Sequence, residues 1–341
     1  MKLISRSPSA RLGLVVGVGV GILALAVWRL DLGVVGDAFR AVRWEWVAAA
    51  VVINLFSVAV RAHAWRIVVN QAIPPPWPQW RVVFSAFSVG LLGNAALPGR
   101  VGELARVAVV TRHVRRRPGT WATIVGTVFA HRLFDVVVGA ALVVYVLYAA
   151  RIPDWAVPGL SVVLGIGLGL LVAGILLARR HHRPVVEELG PVRRFLRMGR
   201  HGLAVLRRPA PAVEALAFQL VGWVAQLFAV YTAFIAFRID ASIEAAALVL
   251  LLMNLVTVFP FWPGNIGLVQ AAIAVALLPY GVRYGHGFAY GIGLQVIEAS
   301  VGIGLGFAFL AREGFSFAML RRMPEVTDVE LDEDERVERI A

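Results

Sequence analysis

Three charged residues stand together inside an apolar stretch: Arg100, Glu103 and Arg106, in the string Asn94-Ala-Ala-Leu-Pro98-Gly99-Arg100-Val-Gly102-Glu103-Leu-Ala-Arg106. Their i, i+3, i+6 spacing places them on one face of a helix. Pro98 suits the first turn of a new helix, where its missing N–H is no loss. Gly99 and Gly102 leave the backbone open to close approach. A helix start offers unpaired N–H groups and a partial positive charge, which together suit an anion. The chemistry indicated is capture of an oxyanion such as a phosphate. The alternative is that Arg100 and Arg106 pair with Glu103 and only hold the segment together, but pairing leaves one cation over.

Two further sets carry charge at membrane depth. Asn54, Arg61 and Trp65 share a helical face through i+7 and i+4 spacing. Arg61 is the deeper cation there, Arg66 lies nearer the segment end, where a long side chain reaches the interface, and His63 reads as a packing or interfacial residue. His131, Arg132 and Asp135 fall within one turn, so Arg132 can pair with Asp135 at i+3 and His131 with Asp135 at i+4. A structural ion pair and a substrate contact are both open for this set. One His and one Asp do not make a metal-ligand group.

The helix-breaking punctuation recurs at Pro263-Gly264-Asn265-Ile266-Gly267, followed by Gln270 and preceded by Asn254. This second break is polar but uncharged, with Phe259 and Trp262 beside it. Broken backbone inside an apolar segment must be satisfied by protein or by a water-filled cavity. A matched pair of interrupted segments is the sequence pointer to a transporter's binding site.

The elements that must hold these residues are transmembrane helices. The 341 residues are 59% hydrophobic and 16% charged, with mean hydropathy +0.77, outside the range of soluble domains. Apolar segments lie at about 12–28, 47–69, 81–111, 120–150, 157–178, 209–237, 243–279 and 285–311, long enough to cross a bilayer. The stretch 29–46 reads as an interfacial helix anchored by Trp44 and Trp46, 179–208 as an Arg-rich amphipathic linker, and 319–341 as an acidic, disordered tail. The first apolar run reads as a retained anchor. The net charge of +12 sits at segment ends, as positive-inside topology requires, and no nucleic-acid-binding signature accompanies it. With no cysteine, disulfides and thiolate chemistry are excluded.

Basic residues cluster at the N-terminus, at Arg112 with Arg115 to Arg117, across 179–208, and at Arg312 with Arg321 and Arg322. With a cytoplasmic N-terminus, segments 1, 2, 4, 5, 6 and 8 span, placing both termini in the cytoplasm of a cell (inner or plasma) membrane protein. The third segment enters from the cytoplasm, breaks at Pro98-Gly99 and returns. The seventh does the same from the other face at Pro263-Gly264. Pro263 lies 165 residues after Pro98, and the same offset carries segment 2 onto 6 and segment 4 onto 8. The expected fold is an all-α polytopic membrane bundle with an inverted repeat, 1–156 and 157–318, each half carrying a re-entrant hairpin.

The string Asn94-x3-Pro98-Gly99-Arg100-x-Gly102-Glu103-x2-Arg106 resembles the flippase-like domain family, the transmembrane part of lysylphosphatidylglycerol synthases and its stand-alone relatives. His131-Arg132-x2-Asp135 is similar to that family's Glu-Arg-x2-Asp element, Pro263-Gly264-Asn265-Ile266-Gly267-x2-Gln270 to its Pro-Gly-Gly-x-Gly-x2-Glu element, and Arg61-x3-Trp65-Arg66 to its second helix. His131, Asn265 and Gln270 depart from the family's Glu, Gly and Glu. The aminoacyl-transferase domain of the full synthases is not expected here.

The resemblance implies lipid translocation. A lipid with an anionic phosphate headgroup would meet Arg61, Asn94, Arg100, Glu103, Arg106, Arg132 and Asp135. Pro98, Gly99, Gly102, Pro263, Gly264, Asn265, Gly267 and Gln270 would form the breaks and gates. No cofactor or metal is expected. The alternatives are a membrane enzyme acting on a lipid-linked sugar or phosphate, and a scaffold for a lipid-modifying enzyme. Against the enzyme, no nucleophile with a base, acidic metal cluster or nucleotide loop is present.

Overall fold

The computed structural model describes residues 31–97, 101–115, 120–152, 156–179, 205, 208–258 and 263–314, which form ten α-helices and no strand. In chain order they are α1 Leu32–Arg40, α2 Trp44–Ala72, α3 Trp80–Ala96, α4 Val101–His113, α5 Thr120–Ala149, α6 Ala156–Arg179, α7 Pro209–Ala236, α8 Ile243–Val258, α9 Leu268–Leu277 and α10 Tyr284–Arg312. Five of them, α2, α5, α6, α7 and α10, are long and apolar enough to cross a membrane. These are five of the six segments expected to span, the sixth being the run 12–28, and the chain is a multi-pass membrane protein. The apolar run 12–28, the linker 180–204, the acidic tail and the residues Pro98, Gly99, Arg100, Arg116, Arg117, Phe259 and Trp262 lie outside the described residues.

The 29–46 stretch differs from its expectation. Its helix is Leu32–Arg40, capped by Asp31, whose Oδ1 accepts from the N–H groups of Gly33 at 2.9 Å and Val34 at 3.4 Å. Arg43 then takes an extended conformation and donates its N–H to the Ala236 carbonyl at 2.9 Å. Trp44 and Trp46 therefore open the long helix α2 and do not belong to α1.

Helices α3 and α4, of 17 and 13 residues, are each short of the roughly 20 residues a crossing needs. They fold back on one another. Gly102 in the first turn of α4 meets Gly90, Gly93 and Asn94 of α3, and Arg106 one turn later meets Gly90 and Phe87. At the far end, Ser85 Oγ donates to Glu313 Oε1 at 2.6 Å, and His113 Nε2 lies 3.5 Å from Glu313 Oε2. Both legs of the hairpin thus reach the C-terminal end of α10.

The second hairpin is α8, a 3-10 turn at Pro263–Asn265, and α9. Gly264 at φ 67°, Asn265 at φ 45° and Gly267 at φ 91° cannot continue a helix. Expectation put a helix start at the Pro-Gly break itself. Here α9 begins at Leu268, behind the left-handed run, with Gly267 as its N-cap. The hairpin's outer ends meet the start of α10 and the end of α5, where Arg151 donates its N–H to the Tyr280 hydroxyl at 2.8 Å. The two hairpins therefore enter from opposite ends of the bundle.

Packing partnerships correspond between the halves. The pairs α2–α3, α3–α4, α4–α5 and α2–α5 have counterparts in α7–α8, α8–α9, α9–α10 and α7–α10. The cross contacts α2–α10 and α3–α10 are matched by α7–α5 and α8–α5. Where α2 crosses α7, Ser57 Oγ donates to the Gly222 carbonyl at 2.7 Å and Arg61 Nη1 to Gln226 Oε1 at 3.3 Å, each pair separated by 165 residues. One apolar core gathers Trp65, Phe87, Leu92, Ile124 and Phe134; a second gathers Phe234, Leu250, Ile273, Tyr290 and Leu294.

Candidate anion site

A cavity of about 60 Å³ opens between α2, α3, α4 and α5, lined by Arg61, Phe87, Gly90, Leu91, Asn94, Gly102, Glu103, Arg106, His131 and Arg132. That is room for a small polar guest, above the roughly 10–15 Å³ that a single water needs. The hairpin brings Asn94, Gly102, Glu103 and Arg106 to it, and α2 and α5 bring the rest. A second, open depression lined by Arg43, Arg238 and Asp240 lies at the α1 end. Its arginines are engaged locally, Arg43 with Glu45 at 2.9 Å and Arg238 with the Ala41 carbonyl at 3.1 Å.

The charges fall into an anchored network and an unanchored cation. Asp135 is the centre of the network. Its Oδ1 accepts from Arg61 Nη2 at 3.2 Å, Trp223 Nε1 at 3.0 Å and Gln219 Nε2, and its Oδ2 accepts from Arg132 Nη1 at 3.1 Å. Arg132 reaches on to Glu103, with its Nε donating to Oε1 at 2.9 Å and its Nη2 closing the same pair. Arg106 stands apart. It is 4% exposed, and among the described residues its Nε and Nη2 make no hydrogen bond. Its guanidinium lies over the Trp65 ring, 4.6 Å from the centroid, and 5.6 Å from that of Phe87. Trp65 is fixed in turn by its Nε1 donating to Thr127 Oγ1 at 3.2 Å.

Two further groups complete the opening. His131 is 1% exposed and neither ring nitrogen is hydrogen-bonded; its ring meets Phe87 edge-on at 6.0 Å. The i+4 pairing expected between His131 and Asp135 is not made. Arg132 holds that carboxylate, and the imidazole turns to the cavity. Asn94 Oδ1 is buried and unbonded as well. Buried polar groups are normally satisfied, so unmet groups on Arg106, His131 and Asn94 around one cavity mark a place for a polar guest.

The other residues singled out by sequence take supporting positions. Asp135 does not line the cavity and acts by positioning Arg61 and Arg132. His63 stacks between Trp80 and Phe218, at 5.7 and 4.6 Å. Sequence reasoning missed Gln219, Trp223 and Gln226 on α7. Their i, i+4, i+7 spacing is a polar stripe in an apolar helix and was the available signal.

At the second break, amide side chains satisfy the freed backbone. Asn265 Nδ2 donates to the Val256 carbonyl at 2.7 Å, and Gln270 Oε1 accepts from the Gly267 N–H at 2.6 Å. Gln270 Nε2 donates to Gln295 Oε1, and Gln295 Nε2 to the Gly264 carbonyl. Asn265 is the side chain best suited after Gly to its left-handed backbone. Gln295→Ala removes the donor to Gly264 and the acceptor for Gln270, and is expected to cost about 1–3 kcal/mol. Faster amide hydrogen exchange over 263–270, with the α3–α4 hairpin unchanged, is the check.

The chain's sequence matches the profile of the lysylphosphatidylglycerol synthase TM region over residues 12–306. It is also similar to a UPF0104 membrane protein of Methanothermobacter thermautotrophicus, 26% identical over 283 residues, which cover 76% of this chain and 81% of that protein.

Proposed function

This chain belongs to the family of the lysylphosphatidylglycerol synthase TM region, a membrane domain related to lipid handling, and from that premise we propose that it moves a lipid with an anionic phosphate headgroup between leaflets. The observation that carries the reading is Arg106: a buried arginine, 4% exposed, with two guanidinium nitrogens unbonded among the described residues, lining a small polar cavity. A buried charge normally has a partner, and a phosphate oxygen supplies it. Glu103 and Asp135 keep Arg132 and Arg61 in place around the same opening.

Hairpins entering from opposite ends fit alternating access to a midplane site, and the matched partnerships, with Ser57–Gly222 and Arg61–Gln226 at one offset, support an inverted repeat. Arg112, Arg179 and Arg208, which bound the Arg-rich stretches of the sequence, stand at the helix ends on the side where the α3–α4 hairpin has its outer ends, which supports a cytoplasmic assignment for that side.

Arg106→Ala tests the site. Reconstituted with a fluorescent phosphatidylglycerol, the variant is expected to move the probe about 10–100-fold more slowly, the value of one charged hydrogen-bonding group. Its thermal stability is expected to hold, because no ion pair among the described residues is broken. Wild-type movement by Arg106→Ala would remove the site from the mechanism.

A further inference from the structure

A carboxylate at the middle of α10 is left unused by the anion site. Glu298 is the central residue of the helix Tyr284–Arg312, and so lies near the bilayer midplane when that helix spans. The spacing invites comparison with α5. Arg132 and Asp135 stand at i, i+3 in α5; Gln295 and Glu298 stand at i, i+3 in α10, at an offset of 163, two short of the 165 that relates the breaks. In α5 the cation bonds its acid at 3.1 Å. In α10 the residue three before the acid is a glutamine, and its amide is spent on the Gly264 carbonyl. Glu298 therefore has no arginine one turn before it.

What holds Glu298 is an amide: Gln226 Nε2 donates to its Oε1 at 3.1 Å. Among the described residues no Arg, Lys or His comes within ion-pair distance of it, whereas Glu103 and Asp135 both have arginines. The charged and titratable groups facing it are Arg61 from α2 and Tyr290 from α10 itself; α3, α7 and α9 present none among the described residues. Carrying charge on such a group inside a membrane is costly, and a proton removes that cost.

The same amide joins Glu298 to the anion cavity. Gln226 Oε1 accepts from Arg61 Nη1 at 3.3 Å, and Arg61 lines the cavity. Two hydrogen bonds therefore separate the carboxyl from a phosphate-facing guanidinium. Protonation at Glu298 changes the field at Arg61, and with it the hold on an anion, while a departing anion changes the field at Glu298.

We propose that Glu298 is a proton-binding site that couples lipid movement to a proton gradient, one proton crossing on its carboxyl oxygen with each phosphate monoanion. The inference rests on the transport reading. It makes the transported unit neutral overall, so a pH gradient drives it and a membrane potential does not.

The full chain in phosphatidylcholine vesicles, with a trace of fluorescent phosphatidylglycerol and the potential clamped at zero, tests this. An imposed gradient of about one pH unit is expected to shift the final leaflet ratio of the probe about tenfold, the equivalent of one proton per lipid. Glu298→Gln is expected to end at equal leaflet populations under the same gradient, and Glu298→Asp to retain the shift. Equal populations with the wild-type protein, or a shift retained by Glu298→Gln, would overturn the coupling. If the wild-type protein moves no probe, the transport reading fails for that lipid, and infrared difference spectroscopy judges the proton site alone. A carboxylic-acid C=O band that titrates and vanishes in Glu298→Gln supports it; no such band across the pH range of the folded protein overturns it.

Discussion

Asp135→Ala is expected to destabilise the protein by about 3–5 kcal/mol, the cost of leaving buried cations without their anion. Four donors from three helices converge on this carboxylate: Arg61 of α2, Arg132 of α5, and Gln219 and Trp223 of α7. Its side chain is 11% exposed and that of Arg61 18%, so water replaces little of what is lost. Arg132 retains Glu103, but Arg61 is left with the neutral Gln226. Asn in place of Asp keeps the shape yet turns an N–H₂ toward donors, so it is expected to rescue little. Thermal unfolding in detergent is the measurement, with a fall on the order of 10 °C expected. A fall of only a degree or two would show that the network contributes no more than an exposed ion pair.

Gly102→Val is expected to be as damaging by a different route. A Cβ at this position would run into the Gly90 carbonyl oxygen and come within 2.6 Å of the Asn94 N and 2.7 Å of its Oδ1. These are backbone and near-backbone atoms of the facing leg, so nothing yields without parting α3 from α4. Overpacking of this severity costs about 3 kcal/mol or more, and parting the legs displaces Glu103 and Arg106 from the cavity. Loss of probe movement together with lowered thermal stability is the expected result. The contrast is Gly165→Ala on α6, where nothing lies within 4 Å of the added atom; it is expected to raise stability by about 0.5–1 kcal/mol. A folded, active Gly102→Val protein would mean the hairpin legs are not held in contact.

The positions of the spans and both breaks were legible because they follow from local properties: apolar run length, and Pro and Gly against helix geometry. The offset of 165 residues was legible for the same reason, and it reappears as direct contact at Ser57–Gly222 and Arg61–Gln226. Partner choice was not legible. Glu103 has Arg106 one turn along its own helix, yet its described bonds go to Arg132 of the next helix. His131 has Asp135 one turn away and bonds to nothing described. Which side chains meet is set by how helices cross, and an apolar helix gives few marks of the face it turns to each neighbour. Asn265 and Gln270 were read as gate residues by position. Their bonds show what a neutral break requires, which is amide groups returned to its own backbone.

Helix α10 touches both hairpins along a single line. Gly287 lies against Ala274 and Gly291 against Gln270, and Gln295 holds Gly264. Further along, Gly306 lies against Leu92, and Glu313 takes the hydroxyl of Ser85. One helix in contact with both hairpins ties the position of each to that of the other. In the transport cycle proposed above, sliding α10 along its axis by one residue, about 1.5 Å, would press on one hairpin as it drew on the other.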